Sequence, residues 1–188
     1  MNKKPKIAIA ITGASGAIYA KRLLYHFQKI QDQYEVLDIV FSTNAKQVWE
    51  HEMQDKSYND LGFRVFDNHD FNAPFASGSA DYDAMIVCPA SMGTISRVAN
   101  GISNDLISRA ADVMLKERKQ LIMVARETPY SLVHLRNMTQ LTEAGAVILP
   151  ATPSFYSRPQ NMDELVDTVV IRIMQIAGFN IKAYKWGE

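Results

Sequence analysis

The sequence predicts an α/β fold in which a doubly wound parallel sheet is covered by helices on both faces. Two observations predict it. Short apolar runs of strand length alternate with longer amphipathic stretches from one end of the chain to the other. These runs are continuously apolar, as in strands buried on both faces, rather than alternating between apolar and polar residues. At 188 residues the chain has the length of one domain, so residues 1–188 are expected to fold as a single α/β unit.

Six apolar runs are the predicted strands. In chain order they are Ile7–Ile11, Val36–Phe41, a weaker Phe63–Phe66, Met85–Cys88, Leu121–Ala125 and Ala146–Leu149. The predicted helices are the amphipathic stretches Ile18–Ile30, Ala45–Met53, Ile95–Ala99, Leu106–Glu117, Leu132–Ala144 and Leu165–Ala177. Ligands of such a sheet bind beyond the carboxyl ends of its strands, so the residues that follow each strand form the candidate site.

Charge and cysteine content exclude several function classes. Twenty basic residues balance twenty acidic ones, which leaves no broad positive surface for nucleic acid or an anionic membrane. The single cysteine, Cys88, permits no internal disulfide and fits a reducing compartment, so a cytoplasmic location is expected. No apolar run reaches the roughly 18 residues of a membrane span. The four histidines lack metal-ligand spacing, and we expect no metal.

The turn after the first strand has the composition of an anion site. Gly13 and Gly16 flank Ser15 where a strand is expected to turn into a helix. Backbone N–H groups and the serine hydroxyl can converge there on a phosphate, next to the positive end of the helix. The same glycines are also needed if the turn only requires their backbone dihedrals. The pattern alone leaves both interpretations open.

The glycine pattern does not fit a dinucleotide, and a mononucleotide is the better prediction. The G-x-G-x-x-G fingerprint is absent. Asp38 lies inside the second apolar run rather than at its end, where an acid would bind the ribose diol. Ser42 directly follows that run and fits either a ligand contact or the N-terminal cap of the next helix.

A second candidate site follows the fourth strand. Residues Ser91–Thr94 bring small side chains and two hydroxyls to the start of a helix, where a backbone can approach a flat or anionic ligand. A capped helix without a ligand explains the same residues. Cys88, just before them, is interpreted as a small buried apolar residue.

Charged residues mark the helix before the fifth strand and the end of that strand. Arg109 and Lys116 lie two turns apart on one helix face and can grip a phosphate, although surface ion pairs with Asp112 are the simpler explanation. Arg126 and Glu127 directly follow the fifth strand, where charges are easier to explain by function than by folding.

The loop 152–159 precedes the last helix and places Phe155, Tyr156 and Arg158 close together in sequence. It fits either an aromatic lid over a small phosphate ester or a packed loop. The helix that follows carries Arg172.

Six motifs occur in order along the chain. They are residues 11–19 (ITGASGAIY), 91–94 (SMGT), 109–118 (RAADVMLKER), 126–129 (RETP), 134–138 (HLRNM) and 155–159 (FYSRP). Together they closely resemble the flavin prenyltransferase family, the UbiX-like proteins. The resemblance covers nearly the whole chain and is weakest between Asp55 and Ala80. It implies a flavodoxin-like Rossmann fold, a three-layer sandwich.

The resemblance also implies an activity. Proteins of this family bind FMN and join a dimethylallyl group from dimethylallyl phosphate to N5 and C6 of reduced FMN, without a metal. The product, prenylated FMN, is the cofactor of a partner decarboxylase in ubiquinone biosynthesis or aromatic-acid breakdown. Family members form large homo-oligomers, often dodecamers, with sites where subunits meet.

By the same resemblance, individual positions acquire expected roles. The expected FMN-binding residues are Gly13, Ala14, Ser15, Ser42, Ser91, Met92, Gly93, Thr94 and Arg126. The expected contacts of dimethylallyl phosphate are Arg109, Lys116, Tyr156 and Arg172. The expected catalytic residues are Ser15, Glu52, Arg109, Lys116 and Glu127. Cations stabilise charge on the leaving phosphate, a carboxylate or that phosphate takes the proton lost at C6, and aromatic walls such as Tyr156 and Trp186 exclude water.

At three places the chain differs from the residues that are most frequent in the family, and these differences bear on the shape of the pocket. Ala90 stands where cysteine is frequent, Ser157 where histidine is frequent, and Ala20-Lys21 where a glycine-containing pair is usual. None removes a group assigned to the chemistry. Ser157 bears on how the loop 152–159 closes over the ester.

Two alternative functions share the same nucleotide site. An FMN-dependent cysteine-type decarboxylase is expected to carry a Pro-x-Met-Asn motif, which this chain lacks. A non-catalytic FMN carrier needs the motifs at residues 13–16 and 91–94, but not the charged residues Arg109, Lys116 and Glu127 together with Tyr156 and Arg172. The joint presence of these residues favours an enzyme.

Overall fold

The computed structural model describes residues 3–184 and 187. The strands of this part of the chain are β1 (Lys6–Ile11), β2 (Val36–Phe41), β3 (Arg64–Phe66), β4 (Ala84–Ala90), β5 (Gln120–Ala125) and β6 (Val147–Pro150). They form one sheet in the order β3-β2-β1-β4-β5-β6, and every neighbouring pair is parallel. The doubly wound parallel fold is confirmed. Trp186, expected as an aromatic wall, lies outside the described residues.

Six α-helices lie between or after these strands in the described part of the chain. They are α1 (Ala17–Lys29), α2 (Ala45–Met53), α3 (Met92–Ala99), α4 (Leu106–Lys116), α5 (Leu132–Glu143) and α6 (Met162–Ile176). Two helices begin three residues earlier than predicted, because α3 is capped by the side chain of Ser91 and α6 by that of Asn161. Polar caps extend a helix beyond its first apolar residue, and apolar periodicity does not register them.

The sheet separates two apolar layers. Along β1, Ile7, Ile9 and Ile11 point into the cluster formed with α1, α2 and α6, whereas Ala8 and Ala10 point into the cluster formed with α3, α4 and α5. All five are buried. The small alanines leave room for close packing of α3 and α4 on the sheet. This is the three-layer arrangement that the sequence predicts.

The buried carboxylate of Asp38 serves the sheet rather than the ligand edge. Asp38 is 1% exposed and accepts hydrogen bonds from Arg64 Nε (2.9 Å) and Nη2 (2.6 Å) and from the Tyr82 hydroxyl. Burial and the neighbouring carboxylate raise the pKa of Tyr82 far above its ordinary value. The group is paired as a buried charge must be, and it fixes the short edge strand β3 to β2.

None of the helices in the described residues has both the length and the apolar character that a membrane crossing requires.

Candidate functional site

The site lies at the reversal of strand order between β1 and β4. In a doubly wound sheet this reversal opens a crevice between the loops that follow the two strands. Thr12 joins those loops: its Oγ1 donates to the Pro89 carbonyl (2.7 Å) and accepts from the Ser91 amide (2.9 Å). Thr12 is 2% exposed. The β1–α1 and β4–α3 loops therefore form one hydrogen-bonded unit.

A polar cavity of about 370 Å³ opens beside this unit, and we call it the switch-point cavity. Its lining includes Gly13, Ser42, Asn44, Ser91, Thr94 and Arg97. The starts of α2, α3 and α4 all reach it, through Asn44, Ser91 and Asp105. Backbone N–H groups at helix starts favour an anion. The cavity thus unites the two candidate sites predicted after the first and fourth strands.

The two glycines of the β1–α1 turn are needed for different reasons. Gly16 has a φ of 112°, in the region that favours glycine. Gly13 has no such dihedral, but a Cβ added to it would lie 2.8 Å from the Cβ of Asn44. Gly13 therefore allows α2 to approach the turn, and Gly16 allows the backbone to make the turn. Both have a structural reason, and Gly13 also lines the cavity.

The start of α1 holds an anion that belongs to the chain itself. Glu52 of α2 accepts hydrogen bonds from the Gly16 amide (2.8 Å to Oε2) and the Ala17 amide (2.7 Å). Its carboxylate thus occupies the positive helix end where the sequence predicts a phosphate. Glu52 is distant in sequence, so the pattern of the turn gave no sign of this contact. The prediction that the turn binds a phosphate stays a prediction for its remaining groups.

The environment of Glu52 favours its ionised form. Burial opposes ionisation, but a hydrogen bond from the Ser15 hydroxyl, the amides of Ala17 and Gly16, and the charge of Arg126 outweigh it. The pKa of Glu52 is therefore below its ordinary value. Two of the expected catalytic residues, Ser15 and Glu52, are in direct contact.

The starts of α3 and α2 resolve the interpretations left open for Ser91 and Ser42, respectively. Ser91 is the N-cap of α3, and its Oγ accepts from the Thr94 amide (3.3 Å) and lies 3.0 Å from Thr94 Oγ1. Ser91–Thr94 thus form a capped first turn as well as a cavity wall. The interpretation of Ser42 as a helix cap is wrong, because Asn44 occupies that position in α2. Ser42 instead lines the cavity.

Arg126 and Glu127 lie at the same sheet edge, directly after β5. The Arg126 amide donates to the Ala90 carbonyl (3.3 Å), and its charge acts on Glu52. Glu127 Oε1 accepts from the adjacent Thr128 amide (2.9 Å). Arg126 is thus brought to the predicted FMN-binding and catalytic residues, while Glu127 is held within its own loop.

The two cations of α4 lie apart from the switch-point cavity. Asp105, the N-cap of α4, lines the cavity, but Lys116 is the last residue of that 11-residue helix, about 15 Å farther along its axis. Arg109 is exposed and pairs with Asp112 at 3.7 Å. Lys116 contacts Glu117 rather than Asp112. The predicted surface pairing is thus present for Arg109 and differs in partner for Lys116.

Arg172 lines a second cavity, which lies between the end of β6, the loop that follows it and α6. This β6–α6 cavity has a volume of about 570 Å³, and its lining includes Pro150, Ser154, Ser157, Thr168 and Arg172. Tyr156, in the loop beside it, is 67% exposed. Within one chain, Tyr156 and Arg172 are not brought to the switch-point cavity.

Several residues of the site were not predicted from the sequence. Thr12 lies in the motif at residues 11–19 but was given no role, although its place directly after an apolar strand was a usable signal. Arg97, Asn68 and Asp105 reach the cavity from three separate segments, and only the folded chain brings them together. In the part of the chain that the structure describes, no cluster of three or more His, Cys, Asp or Glu could hold a metal.

Comparison with known proteins gives this arrangement a family. A family model described as Flavoprotein matches residues 1–174. A flavin prenyltransferase UbiX of Methanocaldococcus jannaschii is 42% identical over 97% of this chain and 98% of its own length. Another, of Pseudomonas aeruginosa, is 43% identical over 100% of this chain and 97% of its own length. The chain belongs to the flavin prenyltransferase family. Membership confirms the expectation of a flavoprotein enzyme of the transferase class.

Solved structures of the flavin prenyltransferase family superpose closely on the chain. One described as AnUbiX (PadA1) in complex with FMN and dimethylallyl pyrophosphate has a TM-score of 0.92 and 38% identity, over 99% of this chain and 100% of that chain. A dodecameric FMN-dependent UbiX-like decarboxylase from Escherichia coli O157:H7 has a TM-score of 0.90 and 34% identity, over 96% and 98%. The FMN-dependent cysteine decarboxylase SpaF, at 15% identity and a TM-score of 0.63, shares the fold alone.

Proposed function

We propose that the chain transfers a dimethylallyl group from dimethylallyl phosphate to N5 and C6 of reduced FMN, and that the prenylated FMN serves a partner decarboxylase. The observation that carries the proposal is the switch-point cavity. In a chain of the flavin prenyltransferase family, it gathers the polar groups of two loops where a doubly wound sheet binds a nucleotide. The complex of AnUbiX with FMN and dimethylallyl pyrophosphate supports FMN and a dimethylallyl ester as the two ligands, and the phosphate ester is our choice between the two possible donors.

The residues of the cavity fit the phosphate and ribityl chain of FMN. Ser42, Ser91 and Thr94 offer hydroxyls, and the buried Nε of Arg97 still lacks an acceptor within the described residues. Such a set of donors suits phosphate oxygens and sugar hydroxyls. The proposed FMN-binding residues are Gly13, Ala14, Ser15, Ser42, Ser91, Met92, Gly93, Thr94 and Arg126.

The chemistry divides between the two ligands and the side chains around them. Reduced FMN supplies the two nucleophilic atoms, and the ester supplies the allylic carbon atoms. The allylic C–O bond breaks as N5 bonds to that carbon and loses its proton. The double bond of the transferred group then takes up a proton at its CH carbon, its tertiary carbon bonds to C6, and the C6 proton leaves. The net loss is one proton, which the released phosphate can take. The cations Arg109, Lys116 and Arg172 stabilise the phosphate as it gains charge. Tyr156 shields the allylic group from water. No step requires a metal ion.

Glu52 and Glu127 are the carboxylates proposed to take the proton, together with the released phosphate. The pKa of Glu52 is lowered, and the Gly16 and Ala17 amides hold its carboxylate in place beside Ser15. Because its pKa is lowered, it is a weak base, and the phosphate dianion is the stronger acceptor. We therefore propose that the released phosphate is the final proton acceptor. Glu52, beside Ser15, and Glu127 are the carboxylates at that edge proposed to pass the proton on.

We place the second half of the site where subunits of a homo-oligomer meet. Arg109, Lys116 and Arg172 lie outside the switch-point cavity of their own chain. Leu132 and Phe155 are 60% and 70% exposed, and such large apolar side chains are typical of contact surfaces. The dodecameric Escherichia coli relative supports an assembly of the same kind. We propose a cytoplasmic dodecamer.

An anaerobic incubation tests the proposal. Purified protein is mixed with reduced FMN and either dimethylallyl phosphate or the diphosphate, and both free phosphate and flavin mass are measured. We expect the flavin to gain one five-carbon unit as phosphate appears. A parallel sample with oxidised FMN is the control and should gain none. Binding of FMN without any change of mass, with either ester, would leave an FMN carrier instead.

A further inference from the structure

The side chain of Arg97 carries a donor that is shielded and unused. Its Nη2 donates to Thr94 Oγ1 (3.2 Å) and lies 3.7 Å from the Asp105 carboxylate. Its Nε is buried and has no hydrogen-bond partner in residues 3–184 and 187. A guanidinium has five N–H donors in a planar fork, and buried donors in folded proteins almost always have an acceptor. The side chain as a whole is 34% exposed and lines the cavity, so an acceptor from outside the chain can reach the guanidinium, whose donors the chain does not fully use.

Arg97 lies in the wall of the switch-point cavity. Its partner Thr94 is 3.0 Å from the Ser91 hydroxyl, and all three residues line the cavity. The polar contacts run from the first turn of α3 to the N-cap of α4. A ligand that reaches Ser91 and Thr94 thus also reaches the guanidinium.

Arg97 also determines the charge of this wall. Asp105 is the other charged residue among the described lining residues. Its Oδ1 accepts from the Ser108 amide (2.7 Å) and hydroxyl (2.6 Å), and its Oδ2 faces Arg97. Without Arg97, this carboxylate would repel a phosphate in the cavity. With Arg97, the wall is neutral and offers donors in fork geometry, which match phosphate oxygens.

We propose that Arg97 binds the phosphate group of FMN in the switch-point cavity and makes the chain select FMN over riboflavin. The inference rests on the proposed function, because it deepens the FMN site. A purely structural role, in which Arg97 only joins α3 to α4 through Asp105, is the competing explanation. The two roles differ in outcome, because a structural role affects both flavins, whereas a phosphate contact affects FMN alone.

Flavin binding to the full-length protein measures the difference. Dissociation constants for FMN and for riboflavin are determined by flavin fluorescence, for the wild type and for Arg97→Ala, Arg97→Lys and Lys29→Ala. Lys29→Ala is the matched control, because it also removes one positive charge but at the C-terminal end of α1, away from the cavity. FMN binding is repeated at several salt concentrations.

Arg97→Ala is expected to weaken FMN binding between about 10-fold and 100-fold, as for loss of a charge-assisted hydrogen bond, and to leave riboflavin binding unchanged. Its FMN affinity should depend less on salt than that of the wild type. Arg97→Lys should recover part of the loss, and Lys29→Ala should bind both flavins as the wild type does.

Equal weakening of both flavins, or unchanged FMN binding, would overturn the assignment of Arg97. Wild-type protein that binds neither flavin would instead overturn the proposed function. The two failures are therefore distinguishable.

Discussion

The switch-point cavity and the β6–α6 cavity differ in how much of each is fixed by one chain. The walls of the first are hydrogen-bonded to each other: Thr12 joins two loops, Ser91 caps α3, and Asp105 caps α4. The second opens beside a loop whose aromatic residues Phe155 and Tyr156 are 70% and 67% exposed. One region is preorganised by folding, whereas the other presents side chains outward.

Under the proposed function, the switch-point cavity is a nucleotide site built within one chain, and the β6–α6 region belongs to a transfer site that a neighbouring subunit completes. The groups that hold a nucleotide meet at the strand ends because the sheet topology places them there. Arg109 and Lys116 lie on α4 and Arg172 lies on α6, and none of them lines the switch-point cavity. In the proposed function, a neighbouring subunit brings them to the ligand. Substitutions in the switch-point cavity should therefore weaken FMN binding, and substitutions of the three cations should lower turnover.

The largest effect is expected for Lys116→Ala. Removing a cation that stabilises the leaving phosphate should lower turnover about 100-fold to 1000-fold. FMN binding should stay unchanged, because Lys116 lies about 15 Å along α4 from the switch-point cavity. Phosphate release and flavin fluorescence measure the two quantities, and Lys29→Ala is the charge-matched control.

Co-expression sharpens the same comparison. Chains with Lys116→Ala and chains with Thr94→Val, each impaired in a different region, should form mixed oligomers in which some sites combine two intact halves. Part of the activity should return only in the mixture. No recovery in verified mixed oligomers would mean that both halves come from one chain.

A smaller effect is expected for Leu132→Glu. Leu132 is 60% exposed on α5, and a carboxylate there should prevent burial of this surface between subunits. The oligomer should dissociate, and turnover should fall at least about tenfold if sites form between subunits. Sedimentation velocity gives the mass and phosphate release the rate. Leu132→Met keeps the surface apolar and should leave both as they are.

A moderate loss of stability is expected for Glu52→Gln. The carboxylate caps α1 through the Gly16 and Ala17 amides, so its loss should lower the free energy of unfolding by about 1 kcal/mol at pH 7. Because the folded-state pKa is lowered, this stabilisation is complete above the unfolded-state pKa and is lost as the pH falls through the folded-state value. The wild type and the variant should therefore converge below about pH 4 in urea unfolding. A constant difference down to pH 2 would contradict the role of the charge.

The smallest effect is expected for Cys88→Ala. Cys88 is fully buried in β4, and burial raises the pKa of its thiol far above the ordinary value. A thiol in this state is unreactive, so turnover should stay within about twofold of the wild type. In the native protein the thiol should not react with a disulfide reagent until urea unfolds the chain. Rapid native-state labelling would show that β4 opens.

The apolar pattern was sufficient for the sheet but not for its polar details. All six predicted strands are present. Continuously apolar runs such as Val36–Phe41 are typical of strands in a parallel sheet that is covered on both faces. The starts of α3 and α6 were placed three residues late, since the caps Ser91 and Asn161 are polar. Ser42 was ambiguous for the same reason: a lone serine after a strand fits a cap and a ligand contact equally well.

The candidate site was predictable where its residues follow strands and unpredictable where they arrive from elsewhere. Gly13 and Ser91 lie directly beyond β1 and β4, and the topology guarantees that they meet. Glu52 and Arg97 reach the site from within helices, Glu52 at the start of α1 and Arg97 in the cavity wall. Only the family resemblance indicated Glu52, because neither spacing nor composition shows which way a helix face will turn. The contact of Glu52 with the start of α1 therefore came only from the structure.

By itself, the sequence determined the class of fold, the edge of the sheet that carries the site and, through six ordered motifs, the family. These follow from local periodicity and from residues whose positions relative to strand ends are fixed by the chain. Only the tertiary structure decided that Glu52 caps α1, that Arg97 faces the cavity with an unused donor, and that Lys116 and Arg172 lie outside it. The physical reason is that contacts between residues far apart in sequence depend on how whole helices pack, and packing is a property of the folded chain.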